Sequence, residues 1–129
     1  MSVKKVIIQL LALFSLMSGE VFAQSSVQVI DATTFIENIE VFNGHEVTVP
    51  ECRIRIADPV RIGCFPLNSE KWFLVDRRFL DQNSIDRLVK ECAGLEKRPD
   101  NCVVEVRGIG NMDIYKTPMM KKALIFWKQ

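Results

Sequence analysis

The chain of 129 residues has one histidine, His45, and one tyrosine, Tyr115. It has no CxxC pair, no glycine-rich phosphate loop, no GxSxG elbow and no histidines at metal-ligating spacing. Each absence removes a class of chemistry. A lone imidazole beside Gly44 is a poor fourth zinc ligand, and cysteine separations of 12, 28 and 10 residues contain no zinc knuckle. Catalysis needs a placed nucleophile–base pair or paired carboxylates. The densest charged cluster, Asp76-Arg77-Arg78 followed by Asp81, reads instead as a solvated loop after a strand. The expectation is a protein that is not an enzyme and uses no cofactor or metal.

A membrane-spanning run is also missing. The longest apolar stretch, Val6 to Ser18, is 13 residues broken only by Gln9 and Ser15, short of the roughly 18–20 needed to cross a bilayer. It follows Lys4 and Lys5 and precedes Val21-Phe22-Ala23, the order of a secretory signal cleaved between Ala23 and Gln24. No cysteine follows directly, so no lipid anchor is expected. Residues 1–23 read as a signal peptide and 24–129 as one small domain in the periplasm or outside the cell.

Charge of one sign is missing too. Without Lys4, Lys5 and Glu20 the mature chain has 15 Lys+Arg and 15 Asp+Glu, which argues against a general polyanion binder. The distribution is uneven: residues 24–52 hold five acids and no Lys or Arg, leaving ten acids against 15 basic residues in 53–129.

Four cysteines are present, Cys52, Cys64, Cys92 and Cys102. An even count in a small exported domain reads as two disulfides. In "ECRIRIADPVRIGCF", a hairpin turning at Ala57-Asp58-Pro59 sets Ile56 against Val60, Ile54 against Ile62 and Cys52 against Cys64. Opposed residues of an antiparallel pair lie within disulfide reach. Four cysteines allow three connectivities, all open on sequence alone; this geometry favours Cys52 with Cys64, with Cys92 and Cys102 as the second pair. One hairpin face carries the cysteines and isoleucines, and the other carries Arg53, Arg55 and Arg61.

Along the chain, Phe35, Ile36, Ile39 and Phe42 form a helical stripe over 32–42, after Asp31 and before Asn43-Gly44. Strands are expected over 46–56, with Pro50 marking a bulge or an edge, then over 60–65 and 71–77. Asn83 or Ser84 caps a helix whose apolar face is Ile85, Leu88, Val89 and Cys92, and Gly94 stops it. Residues 102–108 alternate, with Cys102, Val104 and Val106 inward. A loop rich in Gly and Asn follows, then a last strand over 123–128. Trp72 and Trp127 read as core residues.

The order helix, three strands, helix, two strands resembles the oligonucleotide/oligosaccharide-binding (OB) fold, a five-stranded Greek-key barrel with a helix between strands three and four. The resemblance covers roughly residues 45–128. It rests on the long interrupted strand after "FNGHEVTV" and on "SIDRLVKECAG" in the helix slot. Small exported bacterial OB-fold domains look similar in size and in having a leading helix. An open α+β sheet is the alternative.

The resemblance implies a ligand face across strands two and three, near Arg55, Arg61, Lys71, Phe73 and Arg77. It is flanked by Asn111, Tyr115, Met119 and Met120. With Arg53, these give the candidate binding residues Arg53, Arg55, Arg61, Lys71, Phe73, Arg77 and Tyr115. The partner expected is a protein of the cell envelope or another exported protein; the alternative is an anionic oligomer, single-stranded nucleic acid or acidic oligosaccharide.

Overall fold

The computed structural model describes residues 27–58, 60–93 and 100–128. The signal peptide and cleavage site read from residues 1–24 lie outside them, as do Pro59 and the Gly94 stop. The elements are β1 (Gln28–Val29), α1 (Ala32–Glu37), α2 (Ile39–Phe42), β2 (Glu46–Ala57), β3 (Ile62–Phe65), β4 (Phe73–Val75), α3 (Gln82–Cys92), β5 (Val103–Met112) and β6 (Pro118–Trp127). Short 3-10 turns at Arg77–Phe79 and Asp100–Cys102 flank α3.

Strand order is β1-β2-β3-β4-β6-β5, and β5 pairs back onto β2. That last pairing closes β2-β3-β4-β6-β5 into a five-stranded barrel of OB-like order. Closure rules out the open sheet. β4 and β6 run parallel while the other barrel pairs are antiparallel. β2 is far longer than β3, so part of its edge is left over; β1 pairs with it in parallel at Val47 and Thr48. This added strand was not expected from the sequence.

Both expected disulfides are present, with Cα–Cα distances of 5.6 Å for Cys52–Cys64 and 5.8 Å for Cys92–Cys102. Such bonds point to an oxidising, extracytoplasmic compartment. Among the described residues no helix is long and apolar enough to cross a membrane.

The hairpin register corrects the expected one. Ile54 pairs with Cys64, Ile56 with Gly63 and Ala57 with Ile62, and Arg55 is the extra residue of a β-bulge. Cys52 and Cys64 therefore lie diagonally rather than directly opposite. The bulge also turns Ile56 away from the interior that holds Ile54 and Ala57. The irregularity expected at Pro50 is present: β2 carries one more residue than β5 between Val49 and Cys52.

The interior is built from alternate residues. Val47, Val49, Cys52 and Ile54 of β2, Ile62 and Cys64 of β3, Phe73 and Val75 of β4, and Val104 and Val106 of β5 are all buried. α1 and α2 break at Asn38, splitting the expected single helix, and bring in Phe35 and Phe42. Phe35 meets Phe73 edge-on at 5.0 Å and tilts against Phe42 at 6.3 Å. α3 adds Ile85, Leu88 and Cys92; Asp81, one turn before the expected cap, accepts from Ser84 N at 2.7 Å.

The stretch expected to be a Gly- and Asn-rich loop is a long hairpin of β5 and β6. Its glycines serve close approach rather than turning. A Cβ on Gly110 would lie 2.3 Å from the Phe42 carbonyl oxygen, and one on Gly108 would lie 2.6 Å from that of Lys121. β6 carries its own bulge: Arg107 pairs with Leu124 but Ile109 with Lys121. Lys122 there has φ of 54°, and Met120 and Ala123 are both interior.

Candidate functional site

The predicted arginine face is largely turned to internal use. Arg55 is only 6% exposed. Its guanidinium carbon lies 4.4 Å from the centroid of Phe65, which stacks on half-buried Trp72 at 5.7 Å. The bulge places it there, because Arg55 no longer alternates outward with Arg53. Nη1 donates to Glu70 at 3.2 Å. Arg53 is half-buried on β2.

Arg61 and Arg77 converge on Asp58 in the loop after β2. Arg61 pairs with its carboxylate at 3.3 Å, and Arg77 Nη1 donates to its carbonyl at 2.6 Å. The same carboxylate accepts from Val60 N and Arg61 N at 2.8 and 2.6 Å. Those backbone amides, with the Arg61 side chain behind them, hold the Asp58 carboxyl below the usual aspartate range.

Phe73 is fully buried against Phe35 and is not a surface stacking group. The expectation failed because β4 alternates its Phe73 and Val75 inward, leaving Leu74 outside. Lys71 is exposed on the loop between β3 and β4. Tyr115 is 82% exposed at the tip of the β5–β6 hairpin, beside Ile114 at 87%. Asp113 orders that tip by accepting from Tyr115 N and Thr117 N at 2.8 and 2.9 Å. Asn111 and Met119, which pair across β5 and β6, are half-buried, whereas Met120 is interior. The predicted residues thus form two small groups, Arg55 with its aromatics and Arg61 with Arg77, rather than one continuous basic track.

The two carboxylates considered for catalysis both have structural work. Asp81 caps α3. Asp76 takes a forked pair of bonds from Arg78 at 2.8–3.1 Å, and it also accepts from the backbone amide of Arg78 at 3.2 Å. The Arg78 side chain first, then the backbone amides of Arg78 and Lys122, keep its carboxyl below the usual range. Among the described residues no group of three or more His, Cys, Asp or Glu is placed to hold a metal.

A different surface stands out. A groove of about 590 Å³ lies on the outside of the barrel across β1, β2, β5 and β6. The pairings align Val29, Thr48, Arg107 and Leu124 in one row across these four strands. Val27, Pro50 and Ile109 extend the apolar lining, and Glu46, Glu105 and Lys122 add both signs of charge. Arg107 lies over Phe126 at 4.2 Å and pairs with Glu105, so its charge is balanced in place. From sequence, ALIFWK reads as a last strand whose two faces are unassigned, so this surface goes unnoticed. The available signal was that an unbroken apolar run makes both sheet faces apolar, which exposes Leu124 and Phe126 when only one face is covered.

No protein-family model, no curated protein and no solved structure matches the chain, so its residues and their geometry carry the functional reading by themselves.

Proposed function

We propose that the mature chain is a small exported binding domain without catalytic activity, of the OB-like type, that engages a protein partner of the cell envelope. The groove across β1, β2, β5 and β6 carries this reading. Its apolar lining is open to solvent, with Val29 and Leu124 exposed, and interface cores are formed by patches of this kind under a polar rim. The mixed charges around it suit a protein surface better than a polyanion. A nucleic-acid or acidic-glycan track needs a run of available cations. Arg55, Arg61 and Arg77 are instead engaged with Glu70 and Asp58. The cap formed by Asp81 and the clamp formed by Asp76 support a structural rather than catalytic use of the acidic cluster.

The test is site-specific crosslinking in the exported protein. A photoreactive benzophenone side chain at Leu124 is expected to give one discrete adduct with an envelope protein, which Ile109→Glu removes. The same group at Glu37, on α1, should give none. Equal adduct patterns at the two positions would overturn the reading.

A further inference from the structure

Arg55 is a buried cation with an incomplete set of partners. The bulge in β2 leaves it without a cross-strand neighbour, between the pairs Ile54–Cys64 and Ile56–Gly63. Phe65 covers one face of the guanidinium, and Trp72 stacks behind Phe65. Nη1 reaches both Glu70 oxygens, at 3.2 and 3.4 Å. Nε is buried and has no hydrogen-bond partner. Charge-assisted bonds to carboxylates are usually shorter, near 2.7–2.9 Å, and arginine favours forked geometry through two nitrogens. Among the described residues the guanidinium reaches its carboxylate through Nη1 alone, which compensates poorly for its lost hydration.

The counter-ion itself is unlike its partner. The Glu70 side chain is 80% exposed and projects from the loop between β3 and β4. The exposed Glu70 carboxylate loses little by returning to solvent, but a bare Arg55 would be left buried and uncompensated, so Glu70 leaves only in exchange for another anion while Arg55 stays fixed by its stacking. Exposed Lys71, next in the chain, supplies a second cation on the same loop.

We infer that Arg55 is a latent receptor for a single carboxylate or phosphate group, and that Glu70 is its resident, displaceable counter-ion. An incoming group with two or three acceptor oxygens displaces the Glu70 carboxylate and shares its oxygens between guanidinium nitrogens. Phe65 holds the fork in place throughout. No covalent step is involved. The site takes one anion rather than a polymer, and it is independent of the groove across β1, β2, β5 and β6.

The experiment follows the Arg55 Nε–H resonance of the oxidised mature protein by NMR while inorganic phosphate, or separately acetate, is added at constant ionic strength. A saturable shift with either probe, absent with chloride, supports the site, and the tighter probe names the group. Glu70→Gln removes the internal competitor and should lower the half-saturating concentration about fivefold, the factor expected for loss of one exposed ion pair. In Arg55→Lys, followed through the backbone amides of Phe65 and Glu70, which should shift with the same saturation in the unsubstituted protein, no saturable shift is expected; the unchanged dispersion of its spectrum would show that it still folds. If Arg55 responds to neither probe, or equally to chloride, or if Glu70→Gln leaves the half-saturation unchanged, Glu70 is a structural counter-ion only and the inference falls.

Discussion

The indole of Trp72 lies across Gly63: a Cβ built on that glycine would sit 2.7 Å from Trp72 Cε3 and 3.2 Å from Ile56 Cβ. The contact binds β3 to the loop before β4 on the outside of the barrel, so the glycine is required by its neighbour rather than by a turn. Gly63→Ala should cost about 1–3 kcal/mol by overpacking. In a Trp72→Ala background most of that cost should vanish, giving a coupling of about 1 kcal/mol or more between positions in contact. Denaturant unfolding of the four proteins of the cycle checks this. Additive effects would show that Trp72 moves aside freely.

Asp76 should contribute to the acid limb of stability. Its carboxyl is depressed by Arg78 and by the Lys122 amide, so around and below the ordinary aspartate pKa of about 3.9 the unfolded chain binds more protons than the folded one. Stability is therefore fully present above that value and lost as pH falls through the lowered folded pKa. Asp31 and Asp58 shift the same way and add to the slope. Asp76→Asn should flatten the acid slope between about pH 5 and 2 and cost about 1–2 kcal/mol at neutral pH, through weakened bonds of a nearly buried group. Urea midpoints measured across that range provide the comparison.

The disulfides should contribute comparably. Both close short loops, for which chain-entropy arguments give about 3 kcal/mol each, and all four sulfurs are buried. Replacing either pair by alanines should lower the unfolding free energy by about 2–5 kcal/mol. Non-reducing peptide maps of the oxidised protein should return only Cys52–Cys64 and Cys92–Cys102.

Leu124 separates binding from folding. It is 48% exposed in the groove, so Leu124→Lys should change stability by no more than about 0.5 kcal/mol. The envelope adduct formed through a crosslinker at Ile109 should be lost in the same variant. A large loss of stability would instead make Leu124 part of the folding core.

How much of this was legible depended on whether local pattern or tertiary pairing decided the outcome. Val104 and Val106 alternate with Glu105 and Arg107, and that pattern alone fixes the inner face of β5. Both cysteine pairings follow from short separations within neighbouring elements. Arg55 was misplaced because RIRIA alternates on paper without interruption, whereas the strand gains a residue there by pairing with β3. The start of β6 was missed for a related reason. Gly110 looks like a loop residue until Phe42 is seen to press against it. β1, two residues long, leaves no periodic trace; it exists because β2 outruns its partner. The groove shares that origin, since three of its four strands meet only through closure.

The single surplus residue near Lys122 has a consequence for the whole exterior. Along an uninterrupted strand, an inward Met120 would make residues 122, 124 and 126 inward and 123, 125 and 127 outward. By inserting one position, the chain reverses that parity, retaining Ala123 inside and handing Leu124 and Phe126 to the solvent side. Asp76 N, donating to the Met120 carbonyl at 2.9 Å, fixes the strand just before the surplus residue. A one-codon deletion at 122 would therefore remove the bulge and leave the faces as they are, with regular alternation carrying Met120 and Ala123 inward and Leu124 and Phe126 outward.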